Sequence, residues 1–235
     1  MAVNTSREDW KIYQNVFDKF TIDLIRRLIS QDYFEELEMP LAVGKEANVF
    51  IAKTKSPDKK RVIVKIYRLE NCNFNKMFDY IKQDPRYLSM RKNRRDIVFS
   101  WVQREYRNLL LAREAINVPT PIIFKNNILV LEMIGEPSPM LKDKKPKNPK
   151  KFLDLILKDV KSLWKQGLVH GDLSAFNILN NSEKPIFIDF SQATVTQSFD
   201  AKELLLRDLK NIKQFFAKLK TDLDVDETYN KIISK

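Results

Sequence analysis

A polar loop between short apolar runs does most to restrict how this chain can fold. Residues 170–177 read His-Gly-Asp-Leu-Ser-Ala-Phe-Asn, and a little further on the apolar Ile186-Phe187-Ile188 runs into Asp189. Two short apolar runs joined by a polar turn are typical of a β-hairpin. We therefore predict a hairpin with its turn at residues 181–185. It would place Asn177, at the start of one strand, beside Asp189, at the end of the other.

The residue types in this hairpin and in the loop before it suit phosphoryl transfer. A carboxylate such as Asp172 can accept the proton of an attacking hydroxyl, and the oxygens of Asn177 and Asp189 are ligands that Mg2+ prefers. The alternative is an ordinary turn, in which Asp and Asn side chains bond their own backbone. The order and spacing of the three residues favour the catalytic interpretation. His170, the only histidine of the chain, is interpreted as a structural residue that holds the loop.

A lysine interrupts a second apolar strand. The run Arg61–Tyr67 alternates as a strand, with Lys65 inside it. A buried ammonium without a partner is very costly, so Lys65 must either reach solvent from an edge strand or meet an anion. The Val-Ile-Val-Lys run is similar to the kinase strand whose lysine contacts nucleotide phosphates and pairs with a helix glutamate. We predict Glu105 as the partner, with Glu114 as the competing choice.

Apolar periodicity predicts the elements around these motifs. A turn at residues 125–127 joins two strands, and Gly167 ends the helix that precedes the polar loop. Residues 132–136 would link the two lobes of a larger fold. The predicted helices cover residues 9–37 with a break near Thr21, 101–109, 152–163 and 201–219, and the predicted strands cover 41–52 around Gly44, 61–67, 122–124 and 128–131.

Composition narrows the class of protein. The single Cys72 excludes an internal disulfide, no apolar run approaches a membrane span, and residues 1–7 carry no signal-like apolar core. We therefore expect a cytoplasmic protein without a membrane partner. The net charge of +11 favours a polyanionic partner, although a lysine-rich surface also serves solubility. The basic insertion at residues 71–96 is interpreted as a solvated, partly mobile loop, as a phosphate-contacting patch beside the active site, or as both, since the two are compatible.

Several motifs together resemble one known family, the RIO atypical serine/threonine kinases, and within it the type-1 branch. The resemblance extends from about residue 16 to residue 219, and the compact length suggests an archaeal member. It rests on Gly44–Val49, Val64–Arg68, Asn93–Asp96, Glu105–Leu109, His170–Ser174 and Ile188–Gln192.

The resemblance implies an α+β, two-lobed protein-kinase-like fold. Its N-lobe would be small and sheet-rich with extra N-terminal helices. Its C-lobe would be a reduced helical lobe that lacks an activation segment and peptide-docking helices. The implied division is a helical extension at 1–40, an N-lobe at 41–131, a hinge at 132–136 and a C-lobe at 137–235.

The resemblance also implies ligands and roles. Asp172 would be the catalytic base, Asn177 and Asp189 would bind Mg2+ or Mn2+, and Asp189 could itself become phosphorylated. The implied partners are ATP and the pre-ribosomal small-subunit particle with its rRNA. The residues expected to hold ATP are Gly44, Lys45, Glu46 and Ala47 over the phosphates, Lys65 and Glu105 as the phosphate-positioning pair, Val49, Ile63, Met133, Leu179 and Ile188 around the adenine, and backbone groups of Glu132 and Ile134 at its edge.

Two positions depart from what related kinases commonly have. Ala42-Val43 replace a Ser-Thr pair, so we expect weakened or altered nucleotide contacts with retained nucleotide binding. Gly171 stands where kinases usually carry an arginine that reads a phosphorylated activation loop. The competing functions are an ATP-dependent, RNA-binding switch with little protein kinase activity, a compact tRNA-modification-complex kinase, and a small-molecule phosphotransferase. The insertion at residues 71–96 favours the RIO family over the tRNA-modification kinase.

Overall fold

The computed structural model describes residues 17–56, 60–70, 72–87 and 93–234. The first part of the predicted N-terminal helix, residues 9–16, lies outside these ranges. So do residue 71 and residues 88–92 of the basic insertion. The described chain forms a sheet-rich first half and a mostly helical second half.

An antiparallel sheet forms the first lobe. Its strands are β1 (Glu36–Val43), β2 (Ala47–Lys53), β3 (Arg61–Tyr67), β4 (Pro121–Lys125) and β5 (Ile128–Glu132). They lie in the order β1-β2-β3-β5-β4, which puts β3 at the centre of the sheet. Lys65 therefore has no edge from which it could reach solvent along the sheet.

Helix α1 (Lys19–Ser30) covers one face of this sheet. Its buried Leu24 and Leu28 pack with side chains of β2, β3 and β5 in one apolar cluster, and β3 contributes Val62, Val64 and Ile66. Because side chains alternate along a strand, Lys65 points to the opposite face. That face looks toward the second lobe.

The described part of the insertion is helical. It contains α2 (Phe74–Lys82) and a 3-10 turn at Pro85–Tyr87, and it leads into the long α3 (Arg94–Ala112). Asn73 and Asn93 cap the two helices by accepting backbone N–H groups. Residues 74–82 and 85–87 are therefore helical, where one of the two predicted alternatives was a loop.

The second lobe consists of α4 (Pro149–Lys165), β6 (Leu168–Val169), β7 (Ile178–Asn181), β8 (Lys184–Phe187), β9 (Thr194–Val195), α5 (Ala201–Ala217) and α6 (Val225–Ile233). Gly167 follows α4 with a φ of 88°, the left-handed conformation predicted for it. Strands β7 and β8 form the predicted hairpin. Strand β9 pairs with β6, which returns the chain to the loop that precedes Asp172.

Only a short segment separates Asp189 from α5, and α6 alone follows α5 within residues 93–234. This agrees with the predicted fold, which has neither a long activation segment nor peptide-docking helices. None of the helices in the described residues combines the length and apolar character that crossing a bilayer requires.

Three predicted boundaries are wrong. Thr21 does not cap a second helix but lies inside α1, whose cap is Asp18. Strand β1 already begins at Glu36, where it pairs with β2, so the end of the predicted 1–40 helical extension belongs to the sheet. The β7–β8 turn is shorter than the predicted 181–185 and consists of Ser182 and Glu183. Both residues have a positive φ, the conformation that a two-residue hairpin turn requires.

We predict that Leu28→Ala lowers the free energy of unfolding by about 3 kcal/mol, because Leu28 is fully buried between α1 and the sheet. Urea unfolding measures this change. Leu110→Ala is the matched control, since Leu110 is 41% exposed and its truncation should have a small effect. Equal changes for the two variants would show that α1 is not part of the core of this lobe.

Candidate active site

The ammonium of Lys65 is shared between two carboxylates from distant parts of the chain. Its Nζ lies 2.9 Å from Glu105 Oε1, on α3, and 2.9 Å from Asp189 Oδ1, beyond β8. Glu105 also accepts a hydrogen bond from the Tyr67 hydroxyl. The side chain of Glu105 is only 1% exposed, whereas that of Asp189 is 39% exposed. Glu114 lies on the surface, where it accepts a hydrogen bond from Gln166.

The charges of this cluster support one another. Burial disfavours the Lys65 ammonium, but the charges of Asp189 and Glu105 outweigh burial and hold the pKa of Lys65 well above its usual range. Burial raises the pKa of Glu105. For Asp189, burial is outweighed by Lys65 and by a 2.7 Å hydrogen bond from Ser191, which lower its pKa to about 2. Asp189 therefore stays ionised at neutral pH.

Asp172 is held in place by amide groups. Its Oδ2 accepts a 3.1 Å hydrogen bond from Gln192 Nε2 and a longer one, 3.4 Å, from Asn177 Nδ2. Burial, together with the charge of Asp189, raises the pKa of Asp172, while Arg207 and Lys76 oppose the rise. A raised pKa makes a carboxylate a better proton acceptor.

The β7–β8 hairpin brings the two predicted metal ligands together. Ile178 pairs with Phe187, and the Ile188 N–H donates to the Asn177 carbonyl at 3.0 Å. The Asn177 side-chain nitrogen donates to the Asp172 carbonyl at 2.8 Å, which leaves the side-chain oxygen for a cation. Asp189, one residue past Ile188, has a positive φ of 61°.

The donor set fits Mg2+ that is shared with a nucleotide. In the described part of the chain, no group of three or more His, Cys, Asp and Glu side chains could hold a metal alone. Mg2+ usually takes one or two protein oxygens and completes its shell with water and phosphate oxygens. The carboxylate of Asp189 and the amide oxygen of Asn177 match that requirement.

His170 is a buried, neutral residue that braces both loops. Its Nδ1 accepts from the Asp172 N–H at 3.4 Å, so its Nε2–H donates to the Ile188 carbonyl at 3.0 Å. Its ring packs against Phe190 with centroids 4.7 Å apart. Burial lowers the pKa of His170 to about 4. These contacts agree with the structural interpretation of this histidine.

Asp208 and Arg207 on α5 hold the backbone on either side of Asp172, a role that sequence reasoning missed. The two Asp208 oxygens accept the Gly171 and Leu173 N–H groups, both at 2.8 Å. Arg207 donates to the Gly171 carbonyl. Burial raises the pKa of Asp208 to about 7. The signal was present, since Asp208 interrupts the apolar stripe of α5 beside Leu204 and Leu205.

The predicted phosphate loop is a tight turn between β1 and β2. The Gly44 N–H donates to the Ala47 carbonyl at 3.0 Å, and a Cβ on Gly44 would lie 2.9 Å from that same oxygen. A side chain at position 44 would therefore displace the turn. Burial raises the pKa of Glu46, and the charge of Lys76 on α2 opposes this rise. The charge of Asp189 raises the pKa further, whereas that of Lys65 lowers it. Lys45 is exposed.

The residues predicted around the adenine are half-buried, in contrast to their fully buried neighbours in the sheet. Partial exposure suits side chains that line an open cleft. At the end of β5, the Glu132 N–H donates to the Thr120 carbonyl, and beyond the strand the Ile134 carbonyl accepts from the Ser138 N–H. The Ile134 N–H has no backbone acceptor among the described residues, so it is available to a ligand. The half-buried residues are Val49, Ile63, Met133, Leu179 and Ile188.

A lysine paired with a helix glutamate in one lobe, facing an Asp-Asn hairpin in the other, is the arrangement of protein kinases. A model of the RIO domain matches residues 48–229. The chain is 39% identical over 97% of its length to a RIO-type serine/threonine-protein kinase Rio1 from Methanocaldococcus jannaschii, of which it covers 79%. It is 34% identical over 94% of its length to the Rio1 of Haloferax volcanii, of which it covers 77%. The chain therefore belongs to the RIO family of atypical serine/threonine kinases.

Solved structures confirm the fold. The Rio2 kinase from Chaetomium thermophilum superimposes with a TM-score of 0.70 and 23% identity, covering 93% of this chain and 70% of that one. An ADP/Mg2+-phosphoaspartate complex of the same kinase gives a TM-score of 0.67 and 24% identity over 90% of this chain and 66% of that one. The match to the RIO domain and the Rio1 relatives favours the RIO kinases over the tRNA-modification kinase and the small-molecule phosphotransferases.

We predict that acid destabilises the protein through His170. Its folded pKa of about 4 lies below the ordinary 6.5, so its contribution to stability is complete above pH 6.5 and is lost as the pH falls from 6.5 towards 4. The loss should reach about 2 kcal/mol at pH 5. Urea unfolding of the wild type and of His170→Gln at pH 7 and pH 5 measures it. If both proteins lose the same free energy over this interval, His170 is not buried as a neutral ring.

Proposed function

We propose that this chain transfers the γ-phosphoryl group of ATP, with Mg2+, to a serine hydroxyl or to its own Asp189, and that it acts in maturation of the small ribosomal subunit. The observation that carries the chemical part is the position of Lys65, within 2.9 Å of both Glu105 and Asp189. Such a shared cation, close to the metal ligands, is where the phosphates of a nucleotide would lie.

Each residue of the site has its own role in the proposed reaction. Lys65, aligned by Glu105, would contact the phosphates, and Asp189 would exchange its contact with Lys65 for the metal. Asn177 would add its side-chain oxygen to the metal site. When bound, Mg2+ would offset the negative charge of the transferring phosphoryl group. Asp172 would accept the proton of the attacking hydroxyl, because its carboxylate has a raised pKa and is oriented by Gln192.

Asp189 is the second candidate acceptor. The Rio2 kinase of Chaetomium thermophilum is described as an ADP/Mg2+-phosphoaspartate complex, so an aspartate of that protein takes a phosphoryl group. In this chain Asp189 is ionised and partly exposed, which is what a nucleophilic carboxylate needs. Autophosphorylation at Asp189 would make hydrolysis of ATP part of the cycle.

The proposed setting is a cytoplasmic one with an RNA-rich partner. The net charge of +11 suits binding to a polyanion such as rRNA. The alternative, an ATP-dependent switch that binds pre-ribosomal RNA and phosphorylates little protein, uses the same residues. In that case the nucleotide state would change the affinity for RNA.

We predict that Asp172→Asn abolishes ATP turnover and autophosphorylation while ADP affinity stays within about twofold, because the amide cannot accept the proton but keeps the shape of the side chain. Turnover is measured by phosphate release, and autophosphorylation by mass spectrometry after incubation with Mg2+ and ATP. Asp154→Asn, on the exposed side of α4, is the control and should keep full activity. Undiminished phosphoryl transfer in Asp172→Asn would show that Asp172 is not the base.

We predict that the affinity for single-stranded RNA falls by about tenfold or more between roughly 50 and 200 mM salt, because contacts with phosphates release counterions. Fluorescence anisotropy with a labelled oligonucleotide measures the slope, with ADP or a non-hydrolysable ATP analogue present. A flat response would remove the electrostatic account of RNA binding. An affinity that differs strongly between the two nucleotides would favour the switch over the protein kinase.

A further inference from the structure

We propose that Asn108 and Arg86 are positioning residues for the metal site. Through them, the described part of the insertion at residues 72–87 holds the loop after Asp189 in the conformation that binds the metal. This inference rests on the proposed Mg2+ site. Neither residue touches Lys65, Asp172 or Asp189 through a side-chain contact recorded among the described residues. Both act through the backbone that follows Asp189.

Asn108 clips the turn that begins directly after Asp189. Its side-chain Nδ2 donates to the Phe190 carbonyl at 3.0 Å and to the Ala193 carbonyl at 2.7 Å. The Ala193 N–H in turn donates to the Phe190 carbonyl at 3.2 Å, so the clipped segment is a closed turn. Asn108 is fully buried, so loss of its amide would leave these two carbonyls without this donor in the protein interior.

Arg86 fixes the orientation of this amide. Its guanidinium donates to Asn108 Oδ1 at 2.8 Å. With a donor on the oxygen side and two carbonyls on the nitrogen side, the amide can sit in only one of its two flips. Arg86 comes from the 3-10 turn of the insertion, so the insertion reaches the metal loop through one intervening side chain.

Arg86 is itself held rigidly. Its Nε donates to Asp84 Oδ1 at 2.9 Å, its Nη2 donates to Oδ2 at 2.6 Å, and its backbone N–H donates to Oδ1 at 3.0 Å. Asp84 is fully buried, and hydrogen bonds and charges from Arg86 outweigh burial and lower its pKa. A two-point contact of this kind restricts the guanidinium far more than a single bond.

A fully buried arginine completes the network. Arg104, on α3 and fully buried, places its Nε 3.2 Å from Asp84 Oδ2. Its N–H groups are not aligned for a hydrogen bond with any described partner, so Arg104 interacts with Asp84 through charge alone. Burying Asp84 between two arginines avoids an uncompensated charge in the interior.

The arrangement couples the two halves of the active site. Asn108 lies one turn after Glu105 on the same face of α3. One helix face therefore aligns Lys65 through Glu105 and shapes the metal loop through Asn108. A second contact joins the insertion to the segment after β9, since Ser198 Oγ donates to the Gln83 carbonyl at 3.3 Å. The insertion thus contacts the loop after Asp189 through Asn108 and through Ser198. Only a short segment follows that loop before α5.

Amide hydrogen exchange of the metal-free protein tests the clip directly. In Arg86→Gln and in Asn108→Asp, the exchange of residues 190–195 should accelerate at least tenfold, while residues 178–187 of the hairpin keep their wild-type rates. Arg113→Gln is the matched control, because Arg113 is exposed at the end of α3. Unchanged exchange at 190–195 in Arg86→Gln would overturn the inference.

Metal binding tests the consequence. We expect the Kd of Mn2+ in the presence of ADP, measured by electron paramagnetic resonance, to rise at least fivefold in both variants and to stay at the wild-type value in Arg113→Gln. A merely structural role would lower the unfolding midpoint without changing the Kd of the folded protein, and that result would overturn the inference. If the wild type itself binds no Mn2+ with ADP, the proposed metal site fails, and the inference fails with it.

Asn108→Asp could fail to fold, because Asn108 is fully buried. Arg86→Gln then decides the question, since the Arg86 side chain is 27% exposed and the buried Asn108 itself is unchanged in this variant. A wild-type Kd for Mn2+ in a folded Arg86→Gln would contradict the positioning role of the insertion.

Discussion

The candidate active site depends on one buried ammonium, that of Lys65. An ammonium in the centre of a sheet is stable only if carboxylates compensate it, and here Glu105 and Asp189 do so from opposite sides. Each carboxylate brings its own element, α3 in one case and the β7–β8 hairpin in the other. The ion cluster therefore connects the two lobes, and it leaves at their boundary a cation and an ionised carboxylate, which the proposed nucleotide and its metal would contact.

Buried polar side chains then shape the loops that carry the reactive groups. Asp208 accepts two backbone N–H groups around Asp172, and Asn108 donates to two carbonyls after Asp189. His170 joins the two loops through the Asp172 N–H and the Ile188 carbonyl. Each of these side chains lies on a helix or next to a strand. Rigid elements therefore hold the loops that carry Asp172 and Asp189. This is how a site keeps its geometry without a long activation segment.

Sequence reasoning predicted the parts of this site that depend on residues close together in the sequence. Alternation along β3 predicted the strand that carries Lys65, and the polar turn between apolar runs predicted the hairpin that joins Asn177 to Asp189. It missed Asp208 and Asn108, because one stands inside an apolar stripe and the other inside a helix whose neighbours are charged. Their partners lie far away in sequence, 35 to 37 residues for Asp208 and 82 to 85 for Asn108. No spacing rule connects residues so far apart.

By itself, the sequence determined the residue types of the chemistry, the order of the elements and the family. These follow from periodicity and short motifs, which depend on neighbours a few residues away. Tertiary structure alone decided that Glu105 rather than Glu114 meets Lys65, that β1 begins at Glu36, and that residues 73–87 of the basic insertion are folded, with Arg86 paired to Asp84. The physical reason is desolvation: a charged or amide group takes the partner that packing buries beside it, and packing is set by the whole chain.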